Sequence, residues 1–126
     1  MKSIFSKSWI RSIQPRKQRK YRHNAPAHVK KKFVSVNLSK ELRTQHSKRN
    51  ISLVKGDKVK VMKGQFKGKV GEVERVDMKN IKIIIQGIEN IKKDGTKVNY
   101  PVDPSNLMIT ELKLDDKKRK ASLMRK

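Results

Sequence analysis

The chain has 126 residues, and its 34 Lys and Arg against 11 Asp and Glu give a formal net charge of +23. One domain is the default at this length. With 34% hydrophobic residues and no cysteine, a large packed core, disulfide staples, thiolate zinc sites and a cysteine nucleophile are excluded. So strong a charge makes the free protein repel itself and points to a polyanionic partner. No apolar run approaches the ~20 residues of a membrane span.

The charge is unevenly placed. Residues 1–50 hold 15 basic residues and one acid, Glu41, for +14; residues 51–112 hold 12 and 8, for +4; residues 113–126 hold 7 and 2, for +5. This predicts a basic N-terminal extension with short helices over 1–50, a folded unit over 51–112 and a basic C-terminal tail over 113–126.

In chain order, Met1 to Ile13 sets Ile4, Phe5, Trp9, Ile10 and Ile13 among Lys, Ser and Arg. The spacing suits an amphipathic helix, either a targeting or membrane-surface segment or an arm packed on RNA or protein. The basic sequence that follows directly favours the arm. Arg16, Lys17, Arg19, Lys20, Arg22 and His23 surround one aromatic, Tyr21. Such a tract serves as a localisation signal, a solvated tail or an RNA contact. Ala27 to Val36 predicts a short helix with Val29 and Phe33 on one face and Lys30, Lys31 and Lys32 spread around it. Ser39 predicts an N-cap for a helix through about His46, with Glu41 in its first turn. Basic segments of this kind order when RNA phosphates neutralise them.

From Lys58 the pattern becomes that of strands. Lys58-Val59-Lys60-Val61 alternates with period two, so Val59 and Val61 share a buried face. Val70, Val73 and Val76 mark a second strand, and the β-branched run Ile81–Ile85 a third. Ile88 and Ile91 extend it or begin another. Asp94-Gly95 predicts a hairpin whose return strand is Val98 to Val102. Leu107 to Thr110, with Leu112 and Leu114 beyond, gives a last strand. Short strands about ten residues apart predict a mainly β fold, a small closed barrel.

Between the first two strands, Gly64, Gly68 and Gly71 are interleaved with Lys63, Gln65, Lys67 and Lys69 and one aromatic, Phe66. Bare backbone amides admit a phosphate, lysines add charge, and an exposed aromatic packs on a ribose or base. In the competing structural reading, Phe66 plugs the end of the barrel.

The stretch Gly56-Asp57, alternating valines, Gly64-Gln65-Phe66-Lys67-Gly68 and Gly71-Glu72-Val73 resembles the KOW motif. Flanking segments extend the likeness: His23-Asn24-Ala25-Pro26, Lys30-Lys31-Lys32 and Leu38–Arg43 before it, and Asp103–Leu107 and Thr110–Asp115 after it. From about Lys17 to Lys120 the chain is similar to the universal KOW-domain proteins of the large ribosomal subunit, in the long form of eukaryotes and archaea. Met1 to Gln14 departs from that pattern, Trp9 most clearly, and the chain stops soon after Lys117–Lys120.

The resemblance implies a partly open SH3-like (KOW) barrel and a structural constituent of the large subunit that binds ribosomal RNA. It implies RNA contacts by Arg16, Lys17, Arg19, Lys20, Arg22, His23, Lys30, Lys31, Lys32, Lys63, Gly64, Gln65, Phe66, Lys67, Gly68 and Lys69. It further implies a role in subunit assembly near the nascent-chain exit tunnel, beside neighbouring large-subunit proteins. The expected location is the cytoplasmic ribosome, with nuclear and nucleolar passage if the source is eukaryotic. A KOW-domain transcription elongation factor and a mitochondrial ribosomal protein are the alternatives.

Nothing points to catalysis. His23, His28 and His46 have neither cysteine nor a carboxylate cluster beside them, and Gly64–Gly68 lacks the Lys-Ser/Thr ending of a nucleotide-binding loop. Asp115-Asp116 precedes a basic tract and reads as solvated charge. No metal, cofactor, small-molecule substrate or membrane partner is expected.

Overall fold

The computed structural model describes residues 5, 6, 8, 9 and 11–125. Ile4 and Ile10, on which the amphipathic reading of the first segment partly rests, lie outside the described residues. The described residues before Pro15 are not helical.

Among the described residues, three helices lie in the N-terminal part. Helix α1 (Pro15–Asn24) begins on a proline, whose missing N–H costs nothing in a first turn. Helix α2 (Ala27–Phe33) ends sooner than predicted. The chain then runs extended as β1 (Ser35–Leu38), because Val36 and Leu38 are buried while Asn37 is exposed, the period of a strand rather than a helix. Helix α3 (Lys40–His46) starts as expected: the Ser39 hydroxyl accepts from the Leu42 amide at 3.4 Å and Glu41 lies in the first turn.

The remaining strands are β2 (Asn50–Ser52), β3 (Lys58–Val61), β4 (Val70–Asp77), β5 (Lys82–Ile85), β6 (Glu89–Ile91), β7 (Lys97–Asn99) and β8 (Leu107–Glu111); helix α4 (Lys117–Met124) ends the fold. Six strands form one sheet in the order β2-β1-β8-β3-β4-β5, and β6-β7 forms a separate hairpin. Among the described residues, β1 and β8 run parallel and the other pairings are antiparallel. Thus Ser35–Leu38, from the basic N-terminal extension, belongs to the same sheet as β3, and Asn50–Ser52, at the boundary with the central unit, pairs beside it.

The architecture is mixed helix and sheet, and the closed barrel expected from strand spacing is not formed. Edge strands β2 and β5 do not pair with each other. Beyond β5 the ladder continues only as a single bridge, Ile83 to Val102, with both N–H···O distances at 2.9 Å. Val102 stands between Pro101 and Pro104, which have no N–H to extend a ladder. The predicted return strand is cut to Lys97–Asn99 by the same Pro101.

The core is one cluster in which Val36, Leu38, Val59, Val61, Val73, Ile83, Ile85, Ile88 and Ile109 are almost wholly excluded from solvent. Gly71 is required where β4 meets the end of β5. A Cβ there would stand 2.6 Å from the Gln86 carbonyl oxygen and 2.7 Å from Ile85 Cγ2.

The C-terminal segment, expected as a basic tail, contains a helix that packs on the fold through two buried residues. Asp116 caps α4 by accepting from the Lys118 amide at 3.0 Å, and Arg119 and Leu123, one turn apart, are both buried. Arg119 reaches Asp57, and Lys48 donates to the Ser122 carbonyl. Composition cannot separate this one inward arginine from the solvated ones around it.

Candidate nucleic-acid interface

The loop between β3 and β4, residues 62–69, is a closed structure. Gly68 donates to the Val61 carbonyl at 2.8 Å, Val61 to Lys69 at 2.9 Å, and Met62 to Asn106 at 2.7 Å. Gly64 and Gly68 take φ of 96° and 89°, which L side chains rarely adopt. Lys67 and Lys69 donate their amides to Gly64 and Phe66, so the amides of residues 67–69 are occupied within the turn. Among the described residues, the amides of Lys63, Gly64, Gln65 and Phe66 donate to no protein group. Bare amides therefore run from Lys63 to Phe66, ahead of the closing turn. Lys63, Gln65, Lys67 and Lys69 are exposed around them.

Phe66 is a correction to the sequence reading. It is 7% exposed and belongs to the core. Its ring centroid lies 4.9 Å from that of Tyr100, and Lys69 Nζ sits 4.9 Å above it. An apolar ring is more stable in the core than in water by about 1.5–3 kcal/mol, so Phe66 pins the loop from beneath and does not present a face to a base.

The loop has a neighbour that sequence reasoning missed. Gln65 Nε2 donates to Asn90 Oδ1 at 3.2 Å, which ties the loop to β6. The β6–β7 hairpin then carries exposed Lys92, Lys93 and Lys97. Its tip is set by Asp94, whose carboxylate accepts from the Thr96 amide at 2.9 Å; that bond holds its pKa below the usual carboxylate range. The Asp-Gly signal revealed this hairpin, and the lysines flanking it could have been taken with it.

Several acids that would oppose this charge are engaged elsewhere. Glu111 pairs with Lys58 at 2.9 Å and raises the lysine's pKa by hydrogen bond and charge. Asp103 pairs with Lys82 at 2.5 Å, Asp57 with Arg119 at 2.6 Å, and Asp77 and Asp94 organise turns. Among the described residues, Lys63, Lys67 and Lys69 have no carboxylate partner.

The second basic surface is α1, which has no buried residue. Helical spacing puts Arg16, Arg19 and His23 along one side, with Arg22 beside them, and Lys17, Lys20, Tyr21 and Asn24 along the other. Tyr21 joins an aromatic cluster: its ring lies 4.9 Å from Phe5, 4.5 Å from Trp9 and 6.1 Å edge-on from Phe33. On α2, Lys31 and Lys32 are exposed and Lys30 is half-buried. Ser52 Oγ donates to the Lys31 carbonyl at 3.2 Å and fixes that helix to β2. Among the described residues, no hydrogen bond, ion pair or ring contact joins α1 to the glycine loop. These are two basic surfaces on separate elements.

Among the described residues, no group of three or more His, Cys, Asp or Glu could hold a metal ion, and no helix is long and apolar enough to cross a membrane.

Comparison with known proteins gives these surfaces a context. The chain is 51% identical over 114 residues to the large ribosomal subunit protein uL24 of Methanoculleus marisnigri, covering 90% of this chain and 94% of that protein. It is 49% identical over 110 residues to the protein of the same name from Methanoregula boonei, covering 87% and 91%. The uL24 of Methanothrix thermoacetophila is 51% identical over 108 residues, covering 86% and 93%. The family model that describes the eukaryotic ribosomal proteins L26 and their archaeal L24 counterparts matches residues 12–126. The chain therefore belongs to this family of eukaryotic L26 and archaeal L24 ribosomal proteins.

Proposed function

We propose that this protein is a structural constituent of the large ribosomal subunit that binds ribosomal RNA and does no chemistry on it. The observation that carries this is the extent of its likeness to proteins named large ribosomal subunit protein uL24, which spans 90% of the chain in one of them. The mechanism is electrostatic and geometric. A rigid sheet holds the loop of Lys63, Gly64, Gln65, Lys67, Gly68 and Lys69 as a docking element of KOW type. Arg16, Lys17, Arg19, Lys20, Arg22, His23, Lys30, Lys31 and Lys32 neutralise phosphates as an arm. The SH3-like reading of the central strands, the division into arm, central unit and C-terminal segment, and a place beside neighbouring proteins near the exit tunnel belong to this proposal. So do a role in subunit assembly and, for a eukaryotic source, nucleolar passage.

Sedimentation of cell extract tests it. The protein is expected to travel with large ribosomal subunits and to be released by nuclease. Free protein at the top of the gradient at ordinary salt overturns the proposal.

A further inference from the structure

We infer that the cleft between the N-terminal segment and α1 is a binding site for one unstacked nucleotide of single-stranded RNA, with Trp9 as its stacking platform; this deepens the RNA-binding reading and rests on it. The cleft, about 250 Å³, is lined by Phe5, Ser6, Trp9, Lys17, Lys20, Tyr21 and Asn24. That volume is below the roughly 300–1,000 Å³ of drug-sized ligand pockets and on the scale of a single nucleoside.

The rings are unequally engaged. Tyr21 already has Phe5, Trp9 and Phe33 around it. Trp9, half-exposed, has Tyr21 as its ring partner among the described residues, at 4.5 Å and 29°. A base added to the indole would continue a stack the protein has begun, and the Tyr21 contact holds the indole in place beforehand. Lys17 and Lys20, one helical turn apart, put two cations on the same cleft for the flanking phosphates. Asn24 lies on the next turn. One end of its amide pairs with His23 Nδ1 at 3.2 Å, and the other can meet a base edge. Residues 1–40 contain no acid to compete for these lysines. Trp9 also precedes residues 12–126, which the family model matches, so the cleft joins a segment outside the match to a helix within it. An anionic membrane surface would also suit a basic segment with aromatics. A concave cleft of nucleoside volume, with the Asn24 amide in its lining, fits a planar heterocycle better than a flat lipid face.

The test uses the full chain and its single tryptophan. An eight-residue single-stranded oligoadenylate is titrated while Trp9 emission is followed, beside a blunt RNA duplex and vesicles of phosphatidylglycerol and phosphatidylcholine. Saturable quenching by the single strand is expected, with little by the duplex. Trp9→Ala is expected to weaken single-strand binding, read by anisotropy of a labelled oligonucleotide, by about 5- to 150-fold. Trp9→Phe should restore part of it, and duplex affinity should be unchanged in both variants, which separates a lost platform from a misfolded chain. Binding of the single strand without quenching, and with wild-type affinity in Trp9→Ala, overturns the cleft and leaves RNA binding intact. Binding to no RNA at all overturns both readings. A Trp9 response to vesicles but not to RNA makes the cleft a lipid contact and overturns the inference.

Discussion

Arg119 and Asp57, 62 residues apart in sequence, form a two-pronged buried ion pair, with Nη1 to Oδ1 at 2.7 Å and Nη2 to Oδ2 at 2.6 Å. Asp57 is completely buried and also accepts from the amides of Val54, at 3.0 Å, and Lys113, at 2.9 Å. Arg119 donates further to the carbonyls of Lys113 and Ser52, so one clasp gathers the β2–β3 turn, the end of β8 and α4. Gly56, next to Asp57, has φ of 97°, and a Cβ there would meet Lys113 Cδ at 2.6 Å. The Gly-Asp pair is thus a docking point for the C-terminal segment as well as a turn.

Removing one partner leaves an uncompensated buried charge. Arg119→Ala is expected to destabilise the protein by about 3–5 kcal/mol, measured by urea unfolding. The double variant Asp57→Ala with Arg119→Met should be more stable than Arg119→Ala alone. If Arg119→Ala unfolds like the wild type, the clasp does not hold α4.

Two glycines should fail for different reasons. Gly71→Ala puts a methyl against the Gln86 carbonyl and should cost about 1–3 kcal/mol of stability. Gly64 has no atom within 4 Å of where a Cβ would be, and its difficulty is backbone strain alone, roughly 1–2 kcal/mol. Gly64→Val is therefore expected to leave a folded protein whose lysines are misplaced. Reduced incorporation into large subunits, by a protein that still unfolds cooperatively at a midpoint lowered only by that strain, is the expected pair of results.

The two basic surfaces should show separately in salt titrations of RNA binding. Replacing Lys63, Lys67 and Lys69 by Ala should lower the slope of log affinity against log salt by about 2–3. Replacing Arg16, Lys17, Arg19 and Lys20 by Ala should lower it by about 3. An unchanged slope for either set would mean that those side chains touch no phosphate.

The β4–β5 turn should loosen in acid. The Asp77 carboxylate accepts from the Asn80 amide at 3.2 Å, the Asn80 side chain at 3.0 Å and the Lys79 amide at 3.0 Å. These bonds, Asn80's first, hold its pKa below the ordinary 3.8. The stabilisation is therefore fully present above 3.8 and is lost as pH falls through the depressed value. Ile81, buried at the end of the turn with φ of 54°, depends on it, since a β-branched residue is strained there. Amide proton shifts of Lys79 and Asn80 should move as pH drops from about 5 to 2. In Asp77→Asn that movement should be absent.

Local features were legible in the sequence alone. The period of Lys58–Val61, the Ser39 cap, the Asp94-Gly95 hairpin and the glycine-rich loop depend on residues a few positions apart, and each is present. The family likeness, carried by short motifs at characteristic spacings, was legible in the same way. Features that depend on distant partners took their form only in the folded chain. Phe66 has the surroundings of an exposed aromatic until Tyr100 packs against it. Ser35-Val36-Asn37-Leu38 becomes a strand beside β8 because Met108 and Ile109 offer it a parallel edge. Trp9 has a site only because Tyr21 is held on α1. Arg119 differs from its basic neighbours only through Asp57. Charge is counted residue by residue, but whether it faces water, RNA or a buried carboxylate depends on contacts across the whole chain.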